Sequence, residues 1–200
     1  MNNGKKILAA AVLSVAAVFC FLAGGDGAPV DVKDDGVYVS GAKTRALRRV
    51  FDRYGYNLTR LLAEKKPAPR LFVQNVPTDF NRERFDEIRP ALFFEMMLPV
   101  VLKANAAVLE QRAAILKLKK EFDETGALTA DARAELDGWV ARYDVKPADD
   151  LGTLFAALLT RADAVPPTIM MTMAAQDSGF ATSRYAREHN AVYHQRDWDG

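Results

Sequence analysis

Near the end of a 200-residue chain, the run from Thr168 to Gly179 reads TIMMTMAAQDSG, and Asp177 is its single ionisable side chain. At helical spacing Ile169, Met170, Met173 and Ala174 share one face, and Asp177 falls four residues beyond Met173 on it. An acid on an apolar face, in the last turn where the helix dipole is negative, keeps its proton more readily than a solvated one. That is what a proton donor in acid-catalysed bond cleavage requires. An acid beside Ser178 and Gly179 also suits a plain turn, in which it bonds the following amides. Residue types alone leave both readings open.

Positioning that acid needs a helix that starts behind Pro166 and Pro167 and stops at Gly179, which suits the left-handed residue after a helix end. A further short helix is expected over residues 182–189. Upstream, residues 43–64 carry Leu47, Val50, Phe51, Tyr54, Leu58, Leu61 and Leu62 at three- and four-residue spacing, with Gly55 weakening the middle. Residues 70–73 read as a short extended piece. Thr78 or Asp79 is placed to cap a long helix through Phe85, Ile88, Leu92, Phe93, Met96 and Val100, with a kink at Pro99, ending before Gly126. Thr129 caps the next helix, with Leu136, Trp139 and Tyr143 at core spacing; Asp149 or Asp150 caps another, with Leu154, Phe155 and Leu158 inside. The expected fold class is all-α, without repeats.

Charge and cysteine content narrow the function classes. The 27 basic and 26 acidic side chains give a net charge of +1, and nothing in that balance asks for nucleic acid as a partner. One helix is nonetheless basic, through Arg45, Arg48, Arg49, Arg53 and Arg60. It reads as a solvated face opposite the leucines, with anionic lipid headgroups or wall polymers as alternative contacts. Cys20 is the one cysteine, so no intramolecular disulfide forms. Lys5 and Lys6 precede an apolar run from Ile7 to Ala23, and small residues follow up to Ala28, so residues 1–28 read as a signal peptide or membrane anchor. The remainder is therefore expected outside the cytoplasm, in the periplasm or cell envelope. His189, His194, Asp197 and Asp199 fit no metal-site spacing, and neither metal nor cofactor is expected. Trp198 is a candidate for stacking on a sugar.

Two separated blocks resemble the Bax-type glucosaminidases, peptidoglycan-cleaving β-N-acetylglucosaminidases of the lysozyme superfamily. The first is Arg70-Leu71-Phe72-Val73 with Val76-Pro77 and the stretch FEMMLPVVLKAN from Phe94 to Asn105. The second runs from Val165 through Asp177-Ser178-Gly179-Phe180-Ala181-Thr182-Ser183 to Asn190. The resemblance implies residues 29–145 as a linker and helical leader, and residues 146–200 as the first, incomplete part of a lysozyme-like domain. It implies Asp177 as the catalytic acid, Ser178, Thr182, Ser183, Tyr185 and Asn190 as substrate-binding groups, and peptidoglycan glycan strands as the partner. Where the family has Glu-Ser-Gly-Trp-Gly-Thr-Ser, this chain has Asp177, Phe180 and Ala181, so the acid is one methylene shorter. The implied function is an exported glycoside hydrolase; the alternative is an inactive relative that serves as an exported helical binding or scaffold module.

Overall fold

The computed structural model describes residues 27–83 and 88–193. The apolar segment with Cys20 lies outside the described residues, as do Phe85, His194, Asp197, Trp198 and Asp199. The described chain is mainly helical, with a small sheet that the all-α expectation lacks. Strands β1 (Val30–Lys33) and β2 (Gly36–Val39) form an antiparallel hairpin in which Lys33 faces Gly36 across Asp34 and Asp35. Strand β3 (Leu71–Val73) joins β2 in parallel, pairing Leu71 with Val37 and Val73 with Val39. Val37-Tyr38-Val39 lean towards β and residues 70–73 read as extended, but each run spans only a few residues and the parallel partner arrives some thirty residues later, so local pattern does not show that they pair into a sheet. Gly36, at φ +147°, is required by the close approach of β3: a Cβ there would lie 2.5 Å from the Arg70 carbonyl oxygen.

Residues 43–64 form two helices rather than one. Helix α1 (Thr44–Arg53) ends where Gly55 takes φ +60°, and Asn57 then caps α2 (Leu58–Glu64) by accepting from the Arg60 amide. Asp79 does not cap the long helix. Its Oδ1 accepts from the Thr44 amide at 2.8 Å and the Thr44 hydroxyl at 2.9 Å, and so serves the start of α1 from 35 residues away. A short 3-10 turn follows (Phe80–Arg82), and helix α3 (Arg89–Thr125) begins with Pro90 in its first turn, the place where proline costs no hydrogen bond. It runs as one helix through Pro99 to Gly126.

The remaining elements follow the caps and stops in the sequence. Helix α4 (Ala130–Arg142) is capped by Thr129 and α5 (Leu151–Arg161) by Asp150. Helix α6 (Pro167–Ser178) ends at left-handed Gly179, and α7 (Arg184–His189) is capped by Ser183. Two apolar clusters result. The first holds the sheet, α1, α2, the start of α3, α6 and α7, around Leu47, Phe51, Phe80, Phe93 and Ala174. The second holds the end of α3 with α4 and α5, around Ile115, Leu136, Phe155 and Leu158, and Trp139 packs at its edge. By length and composition α3 is long and apolar enough to cross a membrane; Leu92, Phe93, Met96, Met97 and Val101 on it are buried in the first cluster, while Val100, Leu102, Leu109 and Leu116 are exposed.

Candidate functional site

The position of Asp177 depends on where α6 starts. Asn105 on α3 fixes that point: its Nδ2 donates to the Val165 carbonyl at 2.7 Å and its Oδ1 accepts from the Val165 amide at 3.2 Å. Two turns further along α3, Arg112 donates to the carbonyls of Leu159 (2.5 Å) and Ala162 (2.9 Å), which closes the end of α5. A polar residue seven positions from another on a largely apolar helix was the available signal for this pair. Sequence reasoning quoted Asn105 without assigning it a role.

Helix α6 packs on α3 through small residues. Ala174 and Ser178 are fully buried and Ala175 nearly so. The expected apolar face through Ile169, Met170, Met173 and Ala174 is not a single buried face. Ile169 and Met173 are 50% and 51% exposed, and with Thr168 and Thr172 they line an open groove of about 270 Å³. Asp177 is half-buried, three residues from buried Ala174 and four from exposed Met173. The acid thus lies at the seam between the packed face and the groove side. Nearby, the Tyr193 hydroxyl donates to the Met170 carbonyl at 3.3 Å; burial first, and the charge of Asp177 second, raise its pKa.

After α6 the backbone takes three consecutive left-handed residues, Gly179 (φ 58°), Phe180 (φ 54°) and Ala181 (φ 59°). Only the first is a glycine, so the turn carries strain on the order of 1–2 kcal/mol at each of the other two. Packing holds it. Phe180 stacks edge-on against Phe93 and Phe94 on α3, and Ala181 is fully buried. Ser178 pins the same turn, its hydroxyl donating to the Ala174 carbonyl at 2.5 Å and accepting from the Ala181 amide at 2.9 Å.

The residues expected to bind substrate take varied places. Ser178 is buried in that turn. The Thr182 hydroxyl donates to the Gly179 carbonyl at 2.7 Å, and Ser183 caps α7 by accepting from the Ala186 amide at 3.1 Å. Asn190 accepts from the Val76 amide at 3.0 Å and donates to the Gln74 carbonyl at 2.7 Å, so it ties the end of α7 to the segment after β3. Tyr185 is 70% exposed, its ring 6.3 Å from that of His189. Asp177, Ser178, Thr182 and Ser183 therefore share one turn, while Asn190 is bound elsewhere. Glu188 is drawn into an ion pair with Arg184 at 2.9 Å, which lowers its pKa. Among the described residues no group of three His, Cys, Asp or Glu side chains forms a metal site.

The chain is similar to protein bax of Escherichia coli (strain K12), with 30% identity over 106 residues. That alignment covers 52% of this chain and 37% of protein bax, so the chain matches little more than a third of its relative's length. No protein-family profile and no solved structure matches it.

Proposed function

We propose that this protein is a Bax-like exported hydrolase that cleaves the glycan strands of peptidoglycan, with Asp177 as proton donor. The observation that carries the reading is the seat of Asp177: a half-buried acid in the last turn of a core helix, next to a constrained turn and one turn beyond a shallow open depression on α6, in a chain similar to protein bax. Asp177 protonates the glycosidic oxygen as the bond from that oxygen to the anomeric carbon breaks. The substrate's own acetamido oxygen stabilises the oxocarbenium-like carbon, and water then opens that adduct and returns a proton to Asp177. Glu188 is a poor second carboxylate, because Arg184 already holds it. The periplasm or cell envelope is the corresponding location, with residues 1–28 as signal or anchor.

The second reading, an inactive binding module, has its own support. Ser178, Thr182, Ser183 and Asn190 spend their polar atoms inside the fold, and the acid is about 1.5 Å shorter than a glutamate. The test is release of reducing ends from purified peptidoglycan by the full chain, beside Asp177→Asn and Asp177→Glu. We expect activity in the parent and a loss of at least about a hundredfold in Asp177→Asn. Asp177→Glu, which moves the acid outward, should keep or raise the rate. Undiminished hydrolysis by Asp177→Asn would remove Asp177 from the reaction. Sedimentation with peptidoglycan without hydrolysis by any version would favour the binding module.

A further inference from the structure

The charges of this chain are unevenly spread, although their total is +1. Residues 43–70 hold nine basic side chains against two acidic ones, Asp52 and Glu64, a net +7 within 28 residues. Helix α1 turns Ala46, Leu47, Val50 and Phe51 into the first cluster, so its outer face consists of Arg45, Arg48, Arg49, Asp52 and Arg53, all exposed. The patch continues past the helix. Tyr54, Arg60, Glu64, Lys66 and Pro67 line one shallow depression, which places the end of α1, helix α2 and the loop after it on a common surface. Within that segment Leu62 is 70% exposed and Tyr54 is 41% exposed, an unusual place for a leucine in a water-facing helix. The segment thus combines exposed cations with an exposed leucine and tyrosine, the residue types an interfacial surface presents: cations meet anionic headgroups while apolar side chains enter the boundary.

We propose that the outer face of α1 and α2 is a docking surface for an anionic lipid bilayer. The inference rests on the envelope location proposed above. A bilayer is favoured over a soluble polyanion by the exposed leucine and by chain connectivity. Residues 24–29 alone separate the apolar run ending at Ala23 from β1 in the sequence, so the two are at most about 20 Å of chain apart. While that run is in the membrane, the basic face is held at high effective concentration beside the headgroups. Each basic side chain near such a surface strengthens binding about fivefold, screened by salt.

The test uses the full chain with Cys20→Ser and Leu62→Cys, labelled at position 62 with a polarity-sensitive fluorophore. It is titrated with vesicles of phosphatidylcholine alone and of phosphatidylcholine mixed with phosphatidylglycerol. The lipid concentration for half-maximal blue shift should be at least about tenfold lower with the anionic vesicles. That ratio should fall towards one in high salt and in the variant Arg45→Gln, Arg48→Gln, Arg49→Gln, Arg53→Gln, with far-UV circular dichroism confirming its fold. A variant matched in charge, Lys117→Gln, Lys120→Gln, Arg133→Gln, Arg142→Gln, changes the second cluster's surface and should keep the ratio. Equal binding to both vesicles, or equal loss in both variants, overturns the docking surface alone. Absence of binding to either vesicle likewise overturns the docking surface, while the envelope reading stands or falls with the peptidoglycan assay. A blue shift produced by polyphosphate without lipid shows that the face takes soluble polyanions, and overturns the choice of a bilayer.

Discussion

Glu95 is a buried acid on α3, and its Oε1 accepts from the Leu58 amide at 2.9 Å and from Asn57 at 3.4 Å, at the start of α2. Burial raises its pKa above the ordinary 4.5, although the Leu58 amide and the Arg48 charge oppose that rise. A folded-state pKa above the unfolded value means that the folded chain binds the proton more tightly. This contribution to stability is complete below pH 4.5 and is lost as pH rises through the folded pKa. Denaturant titrations across pH should therefore show Glu95→Gln losing less stability than the parent between mildly acidic and neutral pH. A steeper loss in the variant would contradict the assignment. Glu95→Ala should cost about 1–3 kcal/mol, because the Leu58 amide is left buried without its acceptor. At Gly179 a Cβ would meet the Thr182 hydroxyl at 3.2 Å with φ at +58°. Gly179→Ala is expected to lower stability by about 1 kcal/mol or more and to disturb Asp177 two residues before it, read as a drop in both Tm and hydrolysis.

Helix starts and stops were largely legible where the signal is local. Thr129, Asp150, Gly126 and Gly179 act where the sequence places them, because a cap or a left-handed stop involves only residues within one turn. Asp79 was misassigned because a side-chain oxygen can cap any helix end that the fold brings to it, and Thr44 is buried at the end it serves. Asp79→Ala should cost about 1–2 kcal/mol, with added fraying at residues 44–47 visible by hydrogen exchange. The link between α5 and α6 gives a matching test. Asn105→Ala removes both partners of the Val165 backbone, so amide exchange should accelerate at residues 163–169 and hydrolysis should fall, while exchange in α4 stays unchanged. Equal acceleration in α4 would show that Asn105 supports the whole fold rather than the start of α6.

At the scale of the molecule, α3 joins two apolar clusters that otherwise share little. Its central exposed residues, among them Leu102 and Leu109, lie between them. Leu136 is fully buried in the second cluster, and Leu136→Ala should cost about 2–5 kcal/mol. Native-state hydrogen exchange should then show protection falling first across α4 and α5, with β3 and the start of α3 protected until global unfolding. Simultaneous loss in both regions would mean that the clusters unfold as one unit.

The sequence by itself determined the helical character, most of the helix ends, the polarity of the candidate acid's turn and the concentration of positive charge on α1. These follow from spacing, caps and glycine, and act within a few residues. Tertiary structure alone decided the rest. The parallel strand β3 pairs across some thirty residues, Asp79 serves α1, and Asn190 ties α7 to the segment after β3. It also decided which side of α6 is buried. Ala174 and Ser178 are small enough for α3 to approach, and that contact leaves Ile169 and Met173 on the open side with Asp177 at the seam. Periodicity can show that a helix has an apolar side, but the direction of that side is fixed by whichever neighbour packs against it.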